Sequence, residues 1–348
     1  MKLLIDKIQN TYKNKLPFVA YKKPNDTTVF GLFQKDDLLH TIISDFNASG
    51  FVFAPFNILK KTVFFPLEQS ELIKVPFVEQ QIKLTNFVHF DETSKEKHIS
   101  IVQKAIEAIA KSAFKKVVIS RKEIIAINGI EVEEIFERLL QMYPNTFVYV
   151  WFHPKIGLWF GATPETLLMV EDTNFTTMSL AGTQVFKNNE KVSWSAKEIE
   201  EQQIVTDYIM KKLALFSNNL KQLKTETVKA GSLVHLRTEI KGAVMEKQLF
   251  SLVNLLHPTP AVCGLPKEKA KQFILENENY NRSYYTGYLG EIYMGSNNNS
   301  HLFVNLRCME IKNQHAEIYV GGGITKESDP EKEWEETVAK SNIMLSAI

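Results

Sequence analysis

Cysteine is scarce in this chain: Cys263 and Cys308 are the two present, in separate segments of 348 residues. That excludes a disulfide scaffold and a cysteine-based zinc centre, and it fits a reducing compartment. An excess of one charge is also missing. Forty-one Lys and Arg stand against 40 Asp and Glu, a formal net charge of +1, which leaves no electrostatic footprint for nucleic acid or an anionic membrane. The 15 Gly and 12 Pro are too few for a disordered or collagen-like chain. Long apolar runs are absent as well. The start, Met1 to Asp6, is too short in apolar residues for a signal-peptide core, and no later run could span a bilayer. What is present, 44% hydrophobic and 23% charged residues, is an ordinary globular composition with apolar mass for a sizeable core. The expectation is a soluble, cytoplasmic protein with no nucleic-acid or membrane partner.

The least regular stretch is roughly residues 85–98, where Asp91 to Lys97 is wholly polar, and it reads as a connector. It separates a mostly strand-like region, residues 1–95, expected to pack on the core, from residues 96–348, the two forming one intertwined unit. Strands are expected at 17–21, 28–33, 51–54 and 72–77, each rich in Val, Ile, Phe or Leu. Beyond the connector, Val102, Ile106, Ile109 and Ala113 make a helical stripe over 100–114. Further helices are expected at 132–143, 194–216, 246–256 (stopped by His257-Pro258) and 330–345, the last with Pro330 at its first position. Strands are expected at 116–120, 146–152, 158–161, 166–170, 176–180, 287–294, 302–311 and 317–324. Strands in runs, joined by hairpins and interrupted by helices, point to an α+β fold: two stacked, largely antiparallel β-sheets with helices on the outer faces.

Several residues could carry chemistry. Glu198 and Glu201 are three apart on one helix, and Glu333 and Glu336 on another, with Lys340 one turn further; such spacings share a face. Four carboxylates from two helices could converge on a hard cation in the Mg²⁺ style, although a glutamate pair alone is more often a solvated surface. Gly321, Gly322 and Gly323 end a strand, where a backbone can approach a ligand closely; a tight bend is the plainer alternative. Arg307, inside an apolar strand, calls for a carboxylate or phosphate. Lys116 opens KVVIS and Glu165 closes GATPE. A lysine acting as base must lose a proton it normally holds to about pH 10.4, and a glutamate acting as acid must stay protonated. Alone, each is more simply a strand-end or turn residue.

Taken together, the motifs resemble one family. KKVVISR (115–121), FGATPETLL (160–168), SLAGT (179–183), AKEIEEQQIVTDYI (196–209), LVHLRTEIKG (233–242), LLHPTPAVCGLP (255–266), NRSYYTGYLGEI (281–292), LFVNLRCMEI (302–311) and YVGGGITKESDPEKEWEETVAKS (319–341) are similar to the segments of chorismate-utilising enzymes, in the family's order. That group contains isochorismate synthase, salicylate synthase, anthranilate synthase component I and aminodeoxychorismate synthase component I. The resemblance implies that residues 96–348 bind chorismate. Ala181 stands where the aminodeoxychorismate enzymes have a lysine, and Lys116 is the strand lysine that the ammonia users lack. Water is therefore the implied nucleophile, with isochorismate synthase the first reading and salicylate synthase the second. An ammonia-using, anthranilate synthase-like component is a weaker third, and no glutaminase partner is expected.

By the same resemblance Lys116 would deprotonate water attacking C2 and Glu165 would protonate the departing C4 hydroxyl. Glu201 and Glu336 match direct Mg²⁺ ligands, and Glu198 and Glu333 the outer acidic pair. Lys340 matches a residue near the ring carboxylate. Arg307 and Tyr285, helped by the backbone of Gly321 to Gly323, would take the enolpyruvyl carboxylate, with Gly182, Thr183 and His235 lining the site. Many relatives have histidine after the metal glutamate, where this chain has Gln202, which cannot titrate. A monomer or weak homo-oligomer is expected, serving a menaquinone, siderophore or salicylate pathway.

Overall fold

Period-two alternation organises most of the chain. The computed structural model describes residues 1–42, 45–57, 61–80, 92–127, 129–186, 192–231, 233–244, 248–295 and 299–348. Among them the strands form two sheets in which every pairing is antiparallel. The first runs Gly264–Leu265, Lys116–Ala126, His315–Ile324, Cys308–Lys312, Gly157–Thr163, Phe147–His153, Phe18–Lys22, Thr28–Gln34, Ser70–Pro76. The second runs Lys221–Gln222, Leu233–Ala243, Asn174–Val185, Thr166–Glu171, Asn299–Val304, Tyr288–Met294, Gly50–Ala54, Thr62–Pro66, Thr41–Ile42, with Glu226–Ala230 also pairing to Leu233–Ala243.

Alternation sends Val19, Tyr21, Phe147, Tyr149 and Trp151 to one face of the first sheet, where they meet Phe51, Phe53, Leu289 and Phe303 of the second. This inner core is aromatic: Phe53 stacks on Tyr284 at 4.3 Å and Phe147 on Phe303 at 4.2 Å. The opposite residues of the first sheet, such as Phe18, Ala20, Val148 and Val150, face outward. There they pack under helices α1 (Lys2–Lys13), α3 (Val132–Met142) and α7 (Pro330–Leu345). Helices α2 (Glu92–Ala110) and α6 (Lys267–Asn277) cover its Lys116–Ala126 end. Helices α4 (Ala196–Leu213) and α5 (Leu249–Leu256) cover the second sheet. The fold is therefore two antiparallel sheets with helices outside. Strands from residues 1–95 belong to both sheets: Phe18–Lys22 lies between Thr28–Gln34 and Phe147–His153, and Gly50–Ala54 pairs with Tyr288–Met294.

Some boundaries differ from the sequence expectation. The strand expected over 302–311 is two strands in different sheets, Asn299–Val304 and Cys308–Lys312, because the chain crosses between the layers at Asn305 to Arg307. Arg307 is thus at a crossing and not inside a strand, with a left-handed φ of 47°. The polar stretch of the expected connector is helical from Glu92, since α2 begins there, and residues 81–91 lie outside the described ones. Helix α4 is shorter than 194–216, starting from the Ser195–Glu198 capping box. Of the helix expected at 246–256, α5 supplies Leu249–Leu256, while 245–247 lie outside the described residues. No helix among the described residues is long and apolar enough to cross a membrane.

Candidate active site

Two neighbouring crossings between the sheets create the site. Gly157–Thr163 leaves the first sheet through Pro164 and Glu165 to become Thr166–Glu171 of the second. Asn305 to Arg307 makes the return journey beside it. The crossings are sewn together: Ala162 N donates to Arg307 O at 3.0 Å, Val304 N to Glu165 O at 2.9 Å, and Thr163 Oγ1 to Val304 O at 2.6 Å. Asn305 braces them, accepting from Tyr149 OH at 2.6 Å and donating to Tyr284 O at 3.0 Å. The sheets part here, leaving a cleft with about 630 Å³ of empty space, part of it open to solvent. Glu165, Gly182, Thr183, Glu201, His235, Tyr285, Arg307, Gly321, Gly322, Gly323, Glu336 and Lys340 all line it.

Glu165 is 3% exposed. Burial pushes its carboxyl up to about 8, against the opposing pull of Lys116, Arg307 and Lys340, so it holds its proton at neutral pH. Arg307 is buried too. Burial pulls its guanidinium down to about 10, despite Glu336, so it stays charged at neutral pH. One amino group, Nη2, donates to His235 Nε2 at 3.1 Å, while Nη1 is buried without a partner. His235 Nδ1 lies 3.0 Å from the Gly182 carbonyl, which can only accept, so Nδ1 carries the hydrogen and Nε2 is free to accept from Arg307. Burial, reinforced by Arg307, pulls His235 down to about 3 and keeps it neutral. Gly182 sits at a bulge between Ala181 and Thr183 with φ +71°, a conformation that suits glycine. Thr183 Oγ1 lies 3.2 Å from His235 Nδ1. Tyr285 is 3% exposed and stacks on Tyr319 at 5.6 Å.

Across the cleft, α4 and α7 bring carboxylates to the glycine run. Gly322 has no side chain where Glu333 Oε2 and Glu336 Oε1 approach; a Cβ there would lie 3.2 and 3.6 Å from them. A Cβ at Gly323 would collide with Glu201 Oε1 and lie 2.9 Å from Lys116 Cε. Each carboxylate carries a lysine: Lys116–Glu201 at 3.0 Å, Lys197–Glu333 at 2.6 Å and Lys340–Glu336 at 2.6 Å. Burial and the neighbouring Glu336 push Glu333 up to about 7, against Lys197. At Glu336 burial acts the same way but is outweighed by Lys340 and Lys197, which hold the carboxyl below its usual range. Among the described residues, no three His, Cys, Asp or Glu side chains stand close enough to hold a metal as they are. The donor set nevertheless suits a hard cation: it is all oxygen, and it adjoins bare glycine backbone that leaves room beside Glu333 Oε2 and Glu336 Oε1.

Three placements refine the sequence reading. Lys116 is fully buried and does not line the cleft; its amine lies behind Glu201 and Gly323. Glu198 is spent on its own helix start, accepting from Ser195 N at 2.8 Å and from Ser195 Oγ. Lys340 bridges Glu336 and the Gly321 carbonyl, at 2.9 Å from the latter.

The model of a family described as "Chorismate binding enzyme" matches residues 62–348. The chain belongs to that family. Among curated proteins similar to this chorismate-binding enzyme, isochorismate synthase DhbC of Bacillus subtilis (strain 168) is 27% identical over 318 residues, 81% of this chain and 79% of that protein. Isochorismate synthase EntC of Escherichia coli (strain K12) is 30% identical over 260 residues, 71% of this chain and 65% of that protein. Among solved structures, DhbC from Bacillus anthracis superposes with a TM-score of 0.83 over 99% of each chain at 24% identity, a likeness of fold. Two further residues of this family member escaped the sequence reading. Lys197 looks like any lysine of a charged helix until α7 brings Glu333 to it. Asn305 sits between the apolar Val304 and Leu306, in a stretch that alternates as one strand would, so the crossing is not marked.

Proposed function

We propose that this chain is an isochorismate synthase, converting chorismate to isochorismate by adding water at C2 and expelling the C4 hydroxyl. The observation that carries the proposal is Glu165: a buried carboxyl that keeps its proton at neutral pH, at the strand crossing beside Arg307. In this reading Lys116, once it has ceded its own proton and reached past Glu201 and Gly323 into the cleft, takes a proton from the attacking water, the ring double bonds shift, and Glu165 gives its proton to the C4 oxygen, which leaves as water. One proton is accepted and one donated, so the exchange balances. Arg307, oriented by His235, offers its free Nη1 to the enolpyruvyl carboxylate, with Tyr285 alongside. Glu201 and Glu336, with Glu333 behind them, would hold a Mg²⁺ whose charge anchors the ring carboxylate, and Glu198 would join them only by releasing Ser195. The enzyme would be cytoplasmic and need no glutaminase. The similarity to DhbC and EntC, named as isochorismate synthases, supports the same reaction.

The test is product identification from chorismate with Mg²⁺, with and without ammonia. Isochorismate as the main product, lost on addition of EDTA, is the expected result. Salicylate with pyruvate would instead make the chain a salicylate synthase, and ammonia-dependent anthranilate would overturn water as the nucleophile.

A further inference from the structure

Each carboxylate of the cluster has a lysine beside it. Glu201, Glu333 and Glu336 face Lys116, Lys197 and Lys340 in three separate ion pairs. Under the reading above, two of these lysines have other work: Lys116 handles the water, and Lys340 ties α7 to the Gly321 carbonyl. Lys197 has Glu333 Oε1 as its hydrogen-bond partner. It stands one residue before Glu198 on the first turn of α4, with its side chain 19% exposed. It also lines a second cavity outside the cleft, together with Ser195, Glu198, Asp329 and Glu333. Glu336 and Thr183 border both spaces, so the carboxylates form the wall between a substrate cleft and an outer vestibule. Glu333 lines the vestibule side of that wall. Its Oε1 is held by Lys197, while its Oε2 is buried and close to Gly322 and Glu336.

We propose that Lys197 is an internal counter-cation of the carboxylate cluster, which a divalent cation displaces from Glu333 toward the vestibule, so that Lys197 sets how tightly the cation binds. This rests on the cation site proposed above. An ammonium beside a doubly charged ion in a buried site is strongly repelled, because the low effective dielectric leaves little screening. The lysine must therefore give way for the cation to settle on Glu333. A long side chain at a helix start with open space on its solvent side can do so. Until then it spares the structure an unpaired buried carboxylate.

The experiment is Mn²⁺ titration of the 348-residue chain without chorismate, followed by electron paramagnetic resonance of free Mn²⁺. Wild type is compared with Lys197→Met, which keeps the length and removes the charge, and with Lys197→Arg, which keeps the charge. Lys197→Met is expected to bind Mn²⁺ about tenfold more tightly or better, and Lys197→Arg no more tightly than wild type. Lys197→Gln, a shorter neutral residue, should match Lys197→Met. Near-ultraviolet circular dichroism establishes that each is folded. Unchanged or weaker Mn²⁺ binding in both folded neutral variants overturns the proposal, because the lysine would then be holding Glu333 in place for the metal. If the wild type binds no Mn²⁺ and makes isochorismate without any divalent ion, the cation site itself falls, and the proposal with it.

Discussion

At the scale of single residues, the site works by giving neighbours opposite protonation states. Glu165 and Glu336 face the same cleft, yet burial dominates at one and lysines dominate at the other, so one is held neutral and the other charged. A pH dependence follows for Glu165. As a general acid it must be protonated, and it is so below about 8. The value of kcat/KM should therefore fall as pH rises through that point. Glu165→Gln should remove this limb and cost about 10²–10⁴ in kcat while leaving chorismate binding measurable. A variant that keeps the limb would assign it to another group. Arg307 should respond differently. Lysine cannot reproduce its fork, which gives one amino group to His235 and leaves another for the ligand. Arg307→Lys should raise KM at least tenfold with a smaller loss in kcat, as steady-state kinetics would read directly. An unchanged KM would remove Arg307 from substrate binding.

At the scale of elements, the strand His315–Ile324 has to be thin where it passes the carboxylates. Gly323→Ala would drive a methyl group into Glu201 and against Lys116. Overpacking of this kind costs about 1–3 kcal/mol, measurable by urea unfolding, and the displaced Glu201 should weaken Mn²⁺ binding in the same variant. Stability and affinity equal to wild type would mean that α4 and the Lys116 side chain can retreat freely. The sequence made much of this scale legible. Helix α7 was readable with Pro330 at its first position, and strands were expected over 287–294 and 317–324. Other elements went unread for physical reasons. Glu226–Ala230 and the start of Leu233–Ala243 pair in a polar hairpin whose outward residues mask the alternation. Helix α1 buries only Leu4, Ile8 and Thr11, a stripe easily taken for a ragged terminus. The break at Asn305 to Arg307 is invisible because residues on both sides are apolar, each run facing a different sheet. The partners of Glu165, Arg307 and His235 lie far apart in the chain. Only likeness to a family could group them in advance, and Lys197 had no signal of its own.

At the scale of the whole molecule, the first 95 residues are part of the scaffold that holds the site. Phe18–Lys22 is interior to the first sheet, so removing it would cut Phe147–His153 from its neighbour and leave an open edge. Gly50–Ala54 flanks Tyr288–Met294 in the same way. Phe53 stacks on Tyr284, next to Tyr285 of the cleft, and Phe56 N donates to Ser283 O at 3.0 Å. The stretch from Ser283 to Thr286 also secures the crossing, where Thr286 N donates to Asn305 O at 2.8 Å. A chain of contacts thus runs from the N-terminal strands through the aromatic layer to the backbone that places Arg307. A fragment of residues 96–348 would expose the inner faces of Trp151, Trp159, Leu289 and Phe303, whose burial is a main source of folding free energy. It should therefore show no cooperative thermal transition and no near-ultraviolet signal, and it should convert no chorismate. A soluble, cooperatively folded fragment with turnover would mean that the two sheets are completed without their N-terminal strands, contrary to the pairing seen here.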